Sequence, residues 1–184
     1  MLELNFHPFP ILETERLKLR SISNDDAKAL FTLRNDVYVM RYLDRPLHRS
    51  VDDTVEMIQK IRDGVENNTA IAWAIALKDE LDFIGTISFH RIEKENHRAE
   101  IGYMLHPDHW RKGIISEAMK KVLEYGFTAM KLHSIEANVN PDNTASSNLL
   151  KKHGFVREAY FKENYFFQDK ILDTEIYSLI TPYP

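Results

Sequence analysis

The 184-residue chain contains no cysteine. That absence excludes a disulfide framework, a thiolate zinc site and a thiol nucleophile, and it fits a reducing compartment. Long apolar runs are missing too. The opening segment MLELNFHPFPILETERLKLR has no basic start, unbroken apolar stretch or small-residue cleavage site. It therefore reads as neither a leader peptide nor a membrane span, and the cytoplasm is the expected location. No basic run accompanies the net charge of −4, so direct nucleic-acid binding is not expected. Repeats, low-complexity tracts and Gly/Ser/Pro linkers are also lacking, so one domain is expected over residues 1–184, with a core at about 14–181.

What is present suffices for a packed core. Hydrophobic residues make up 43% of the chain, and a domain of this size buries about 70% of its unfolded surface. Leu17, Leu19 and Ile22 alternate with polar neighbours, the period of a half-buried strand. Asn24 precedes DDAKALFTLR as an N-cap candidate, with Ala27, Leu30, Phe31 and Arg34 on one face. Ser50 with Asp53 forms a capping-box pattern opening a second helix to about Asn67, with Val51, Val55, Ile58 and Ile61 inward. AIAWAIALK and FIGTISFHRI read as a hairpin turning around Lys78–Asp82, and HRAEIGYMLHP as a third strand ended by Pro107. A helix over Ser116–Met130, the strand HSIEANV, the helix TASSNLLKKH stopped by Gly154, and two aromatic-rich strands follow.

The predicted order is β-α-α-β-β-β-α-β-α-β-β. This is an α/β fold with a mixed, mostly antiparallel sheet and helices on both faces. The strands flanking the Ser116–Met130 helix are expected to be parallel, because a crossover helix joins them.

The segment with most chemical content is IGYMLHPDHWRKGIISEAM, residues 101–119. It runs strand, loop, helix, with Arg111, Lys112 and Gly113 at the turn. A helix start leaves N–H groups without partners and concentrates positive potential, a glycine permits close backbone approach, and two cations add attraction for phosphate. Taken alone, the segment reads first as a glycine loop that merely begins a helix, because a lone glycine at a helix start is common. GxxxxGK[ST] and GxGxxG are both missing, so neither a Walker loop nor dinucleotide binding is indicated. His90, His106, His109, His133 and His153 form no HExxH or other close ligand pair, and no metal is expected.

AEIGYMLHPDHWRKGIISEAMKKVLEYGF resembles the acetyl-CoA signature of the GNAT N-acetyltransferases, Q/R-x-x-G-x-G/A, with Trp110 or Arg111 at the Q/R place and Ile115 at the second small residue. NPDNTASSNLLKKHGF resembles the second signature of the RimJ/RimL branch, N-x-x-S followed by a helix and Gly-Phe. DFIGTISFHRIE and the early Glu13-Thr14-Glu15-Arg16-Leu17 fit the same branch, so the likeness spans nearly the whole chain.

The resemblance implies acetyl transfer from acetyl-CoA to a primary amine, with a ribosomal-protein N-terminus as first acceptor. The alternatives are a small amine (polyamine, amino acid or aminoglycoside) and a non-catalytic CoA-binding regulatory module. It implies a possible homodimer as well. Met104 and Leu105 would offer backbone groups to the pantetheine arm, and Leu105 N–H would face the oxyanion. The amides of Arg111, Lys112, Gly113, Ile114, Ile115 and Ser116 would hold the diphosphate. Asn138, Asn143 and Ser146 would line the pantetheine near the thioester. Glu100 is the candidate base, directly or through water, and Ser146 the candidate acid. The plainer readings are a Glu100–Arg98 pair and a Ser146 hydroxyl that caps its helix. Lys151 and Lys152 read as a solvated helix face. Trp73, Tyr160, Phe161, Tyr165, Phe166 and Phe167 read mainly as core or sheet-face aromatics, with Tyr165 a possible substrate contact.

Overall fold

The computed structural model describes residues 1–182. Its strands are β1 (Leu12–Glu13), β2 (Leu17–Ser21), β3 (Ile71–Leu77), β4 (Phe83–Glu93), β5 (Arg98–Leu105), β6 (Ser134–Val139), β7 (Val156–Phe167) and β8 (Lys170–Ile180). Its helices are α1 (Ala27–Asn35), α2 (Val37–Met40), α3 (Val51–Glu66), α4 (Ile114–Thr128) and α5 (Thr144–Lys152). The expected order holds. β1 and α2 are additions, each too short to show a period.

One eight-stranded sheet runs β1-β2-β3-β4-β5-β6-β8-β7, antiparallel except for β5 beside β6. The two faces differ in side-chain size, and β3 shows how. Ile71, Trp73 and Ile75 point to a cluster that includes Ala118, Met119, Val122 and Phe127 of α4 and Leu150 of α5. Ala72 and Ala74 point to the other cluster, with Leu30 and Leu33 of α1 and Ile58 of α3. Helices thus cover both faces. Burial of each large aliphatic side chain contributes about 1.5–3 kcal/mol. On the α4 side a Cβ at Gly126 would sit 2.8 Å from the Phe89 ring, so that helix lies against the sheet only with glycine there.

Local signals fix the helix starts. Ser50 and Asp53 form the expected capping box of α3. At the first helical segment Ser23, rather than Asn24, is the N-cap. It opens a 3-10 turn, Asn24–Asp26, and completes a box with Asp26. Asp26 is buried because Arg20 clamps both its oxygens at 2.8 Å, which satisfies its charge inside the fold.

The parallel ladder between β5 and β6 is short. It runs from Arg98↔Ser134 to Glu100↔Glu136 and stops. β5 continues to Leu105 paired only with β4, and β6 continues to Val139 paired only with β8. A gap therefore opens in the middle of the sheet just past Glu100.

Candidate active site

Four groups of residues converge on that gap. The first is the edge of β5 itself. His106 N–H bonds to Ile84 O across the β4–β5 ladder. In an antiparallel pair, residues alternate between bonding the neighbour and facing away. Leu105 and Tyr103 thus turn their peptide groups into the gap, while those of Met104 belong to the ladder with β4. Of the two strand residues expected to offer backbone groups, the geometry favours Leu105. Its carbonyl already accepts Trp110 Nε1–H at 2.8 Å, leaving its N–H directed into the gap.

The second group is the start of α4. Arg111 and Gly113 both adopt left-handed backbone, at φ 60° and 76°. This turns the chain sharply from the 3-10 turn Pro107–His109 into the helix. Gly113 is the N-cap and makes no side-chain cap, unlike Ser50, Asp36 and Asn143 at the starts of α3, α2 and α5. First-turn N–H groups lack intrahelical partners, so this end carries uncompensated positive potential. Ile114 is buried and Ile115 packs against the same cluster, so both can present only their backbone to a ligand. Arg111 and Lys112 are exposed beside them. Ser116 Oγ meets His153 Nε2 at 2.9 Å. Burial, then the nearby Lys152 and Lys120 charges, lower the His153 pKa.

Glu100 is third, on the face that carries α1 and α3. Its Oε1 lies 3.3 Å from His90 Nε2, and its Oε2 accepts Arg91 Nη1–H at 2.8 Å. Burial alone would raise its pKa. Hydrogen bonding from His90 and the Asn138 side chain, with the charges of His90 and Arg91, outweighs burial and brings it down to about 2. Arg98 is not its partner, contrary to the plainer sequence reading. That guanidinium bonds Glu93 at 2.6 Å and Glu136 at 2.8 Å. The reason is the β4–β5 irregularity between His90 and Glu93, where Arg91 takes φ 46° and swings onto the face of Glu100.

Ser146 is fourth, on α5 and therefore on the opposite face. Its hydroxyl does not cap its helix. The cap is Asn143, whose Oδ1 accepts Ser146 N–H at 3.2 Å. Ser146 Oγ instead lies 2.6 Å from the Tyr103 hydroxyl. Burial raises the Tyr103 pKa to about 12, although the Ser146 hydrogen bond pulls the other way. Tyr103 was missed from sequence. It alternates with Ala99, Ile101 and Leu105 and so reads as one more core residue. The signal was a phenol on an apolar stripe, which needs a hydrogen-bond partner when buried.

Other expectations resolve simply. Lys151 and Lys152 are exposed on α5. Trp73 is core, donating Nε1–H to Pro10 O at 2.7 Å. Tyr160, Phe161 and Phe166 are exposed rather than core, and β7, which carries them, is the edge strand of the sheet. Tyr165 donates its hydroxyl hydrogen bond to Asp44, in the loop after α2. Among the described residues, no group of three or more His, Asp or Glu side chains is placed to hold a metal ion, and no helix is long and apolar enough to cross a membrane.

A carboxylate on one face, hydroxyls on the other, and an anion-attracting helix start at the end of the gap suit group transfer from a phosphorylated carrier to an amine. The profile of the acetyltransferase (GNAT) domain matches residues 16–156. The chain belongs to the GNAT acetyltransferase family. As a GNAT N-acetyltransferase of the RimJ/RimL-like branch, it takes acetyl from acetyl-CoA. It is 40% identical to the uncharacterized N-acetyltransferase YoaA of Bacillus subtilis, over 95% of this chain and 98% of that one. It is 31% identical to the ribosomal-protein-serine acetyltransferase of Escherichia coli, over 91% of this chain and 94% of that one. A spermidine N(1)-acetyltransferase of Vibrio cholerae is 26% identical, over 87% and 90%. The crystal structure of a GNAT-family acetyltransferase from Bacillus anthracis superposes with a TM-score of 0.83 at 31% identity, over 93% of this chain and 98% of that one.

Proposed function

We propose that this GNAT enzyme acetylates a protein N-terminal α-amine in the cytoplasm, with a ribosomal protein as first acceptor, by direct attack of the amine on the acetyl-CoA thioester. The observation that carries this reading is the pinning of Glu100 by Arg91 and His90, which leaves its pKa at about 2. So weak a base orients an amine and takes up charge, but it is poorly matched to an alkyl ammonium with a pKa near 10.4. An α-amine, with a pKa of about 7.7–8.0, already presents a substantial neutral fraction at neutral pH. The 31% identity to a ribosomal-protein-serine acetyltransferase points the same way.

In this mechanism the α4 start, Arg111 to Ser116, holds the diphosphate through backbone N–H groups. The gap edge of β5 receives the pantetheine arm, with Asn138 and Asn143 beside its thioester end. The neutral amine approaches from the face of Glu100, which orients it through water and offsets the positive charge that develops on nitrogen, while the proton released on attack passes to solvent. The Leu105 N–H donates to the oxygen of the tetrahedral intermediate. On the opposite face, the Ser146–Tyr103 pair donates a hydrogen bond to the departing thiolate. A phenol at about 12 does not readily surrender its proton to a thiolate, whose own pKa is about 8.5, so the pair stabilises that charge until solvent protonates it.

The second reading is a small polyamine acceptor, favoured by Asp44, a second carboxylate held by Tyr165. The test measures thiol release with acetyl-CoA, a panel of N-terminal peptides and a panel of free amines. Peptide turnover is expected, with kcat/KM breaking near the α-amine pKa of about 8 and not near 4.5. Turnover confined to free amines rejects the peptide acceptor. Coenzyme binding with no turnover at all favours a regulatory module. Glu100→Gln is expected to lower kcat about 100-fold with the coenzyme affinity unchanged.

A further inference from the structure

The segment Thr14-Glu15-Arg16-Leu17 has no part in the mechanism above, yet it reaches across to the start of α4. Glu117 sits in the first turn of α4. An unpaired carboxylate there would be held by its own helix's N–H groups and would repel an incoming anion. Here it is drawn away. Its Oε1 accepts the Thr14 hydroxyl at 2.5 Å and Arg16 N–H at 2.9 Å, and its Oε2 accepts Arg16 Nε–H at 2.7 Å. The same guanidinium donates through Nη1 to Lys112 O at 3.0 Å. Its Nη2 would lie 3.5 Å from any Cβ added at Gly113. The Thr14 hydroxyl is itself fixed by accepting Leu17 N–H at 2.9 Å, and Arg16 O by accepting Lys78 N–H at 3.0 Å. The brace is thus tied into β2 and the strand end beside it.

We infer that Thr14 and Arg16 are positioning residues for coenzyme binding: they neutralise and withdraw Glu117 and lock the Lys112–Gly113 turn, leaving the α4 N–H groups free for the diphosphate. The inference rests on the reading of α4 as the diphosphate site. Two separate effects are joined in one side chain. Cancelling the Glu117 charge removes a repulsion. Holding the Lys112 carbonyl fixes a turn whose left-handed backbone is otherwise entropically costly to order.

The experiment is titration of coenzyme A into the wild type, Arg16→Ala, Arg16→Lys, Thr14→Val, Glu117→Gln and the Arg16→Ala/Glu117→Gln pair, with initial rates and circular dichroism for each. Arg16→Ala is expected to raise both the coenzyme Kd and the acetyl-CoA KM by about tenfold, equivalent to about 1.4 kcal/mol. Saturated kcat and the acceptor KM stay near wild type. Arg16→Lys restores the charge but not the two-directional fork, and recovers only part of the loss. The double variant is less impaired than the product of its single variants, because both singles break one unit. Unchanged coenzyme affinity in a folded Arg16→Ala overturns the inference. So does full rescue by lysine, or a fall in kcat with KM unmoved. Wild-type protein that does not bind coenzyme A overturns instead the diphosphate reading beneath it.

Discussion

The starts of α3 and α4 are built from similar parts and put to opposite use. Each has an acidic residue in its first turn, Asp53 in one and Glu117 in the other. Asp53 folds back on its own helix, accepting Arg49 N–H at 2.7 Å and Ser50 N–H at 3.1 Å, while Ser50 Oγ accepts Asp53 N–H at 3.2 Å. That end is closed, and its job is to stop the helix fraying. Glu117 is turned outward to Thr14 and Arg16, and a left-handed glycine stands where the cap would be. That end stays electrostatically open. A helix start with its N–H groups left unsatisfied costs stability, and the fold accepts the cost where a ligand is to supply the partners.

The comparison is most severely strained by Gly113→Val. At φ 76° a β-branched residue is forced out of its allowed region. Coenzyme Kd is expected to rise by about 100-fold, with a loss of about 1–2 kcal/mol in unfolding stability, because the turn must rebuild. Titration and denaturant unfolding read the two numbers separately. Near-wild-type affinity would show that the α4 start holds nothing. Ser50→Ala gives the contrasting result at the closed end: about 1 kcal/mol of stability lost and no change in coenzyme affinity. A parallel loss of affinity would mean that the two helix starts are not functionally distinct.

The smallest effect is on pH dependence. His153, beside the open end, and His48, which bonds Thr54 of α3, both have pKa values lowered from 6.5. Burial is the leading cause for each, joined by Lys152 and Lys120 for His153 and by Arg34 for His48. Below pH 6.5 the unfolded chain binds protons that the folded chain refuses. Stability therefore falls as pH drops through that window and levels off below the folded pKa values. His153→Gln keeps a hydrogen-bonding group for Ser116 and is expected to flatten part of that decline. An identical slope in the variant would remove His153 from the account.

Much of this was legible in the sequence because it was local. The Ser50/Asp53 box, the alternation of Leu17 and Leu19, and the crossover helix that makes β5 and β6 parallel are all written within one or two elements. The glycine turn at Gly113 was visible for the same reason. What could not be read depended on distant partners. Arg16 meets Glu117 across 101 positions, and Ser146 meets Tyr103 across 43. The Glu100 partner was misread because a strand irregularity turns Arg91 onto its face, and an alternating pattern contains no trace of that shift. Tyr160, Phe161 and Phe166 look like core by composition alone. In the fold they are exposed on β7, the edge strand.

The most direct measurement follows the backbone amides of the 15N-labelled protein during coenzyme A titration. The account predicts saturable shifts at Arg111 through Ser116, with the amides at the start of α3 unmoved. Silent amides at the α4 start, under conditions where the coenzyme binds, would contradict it.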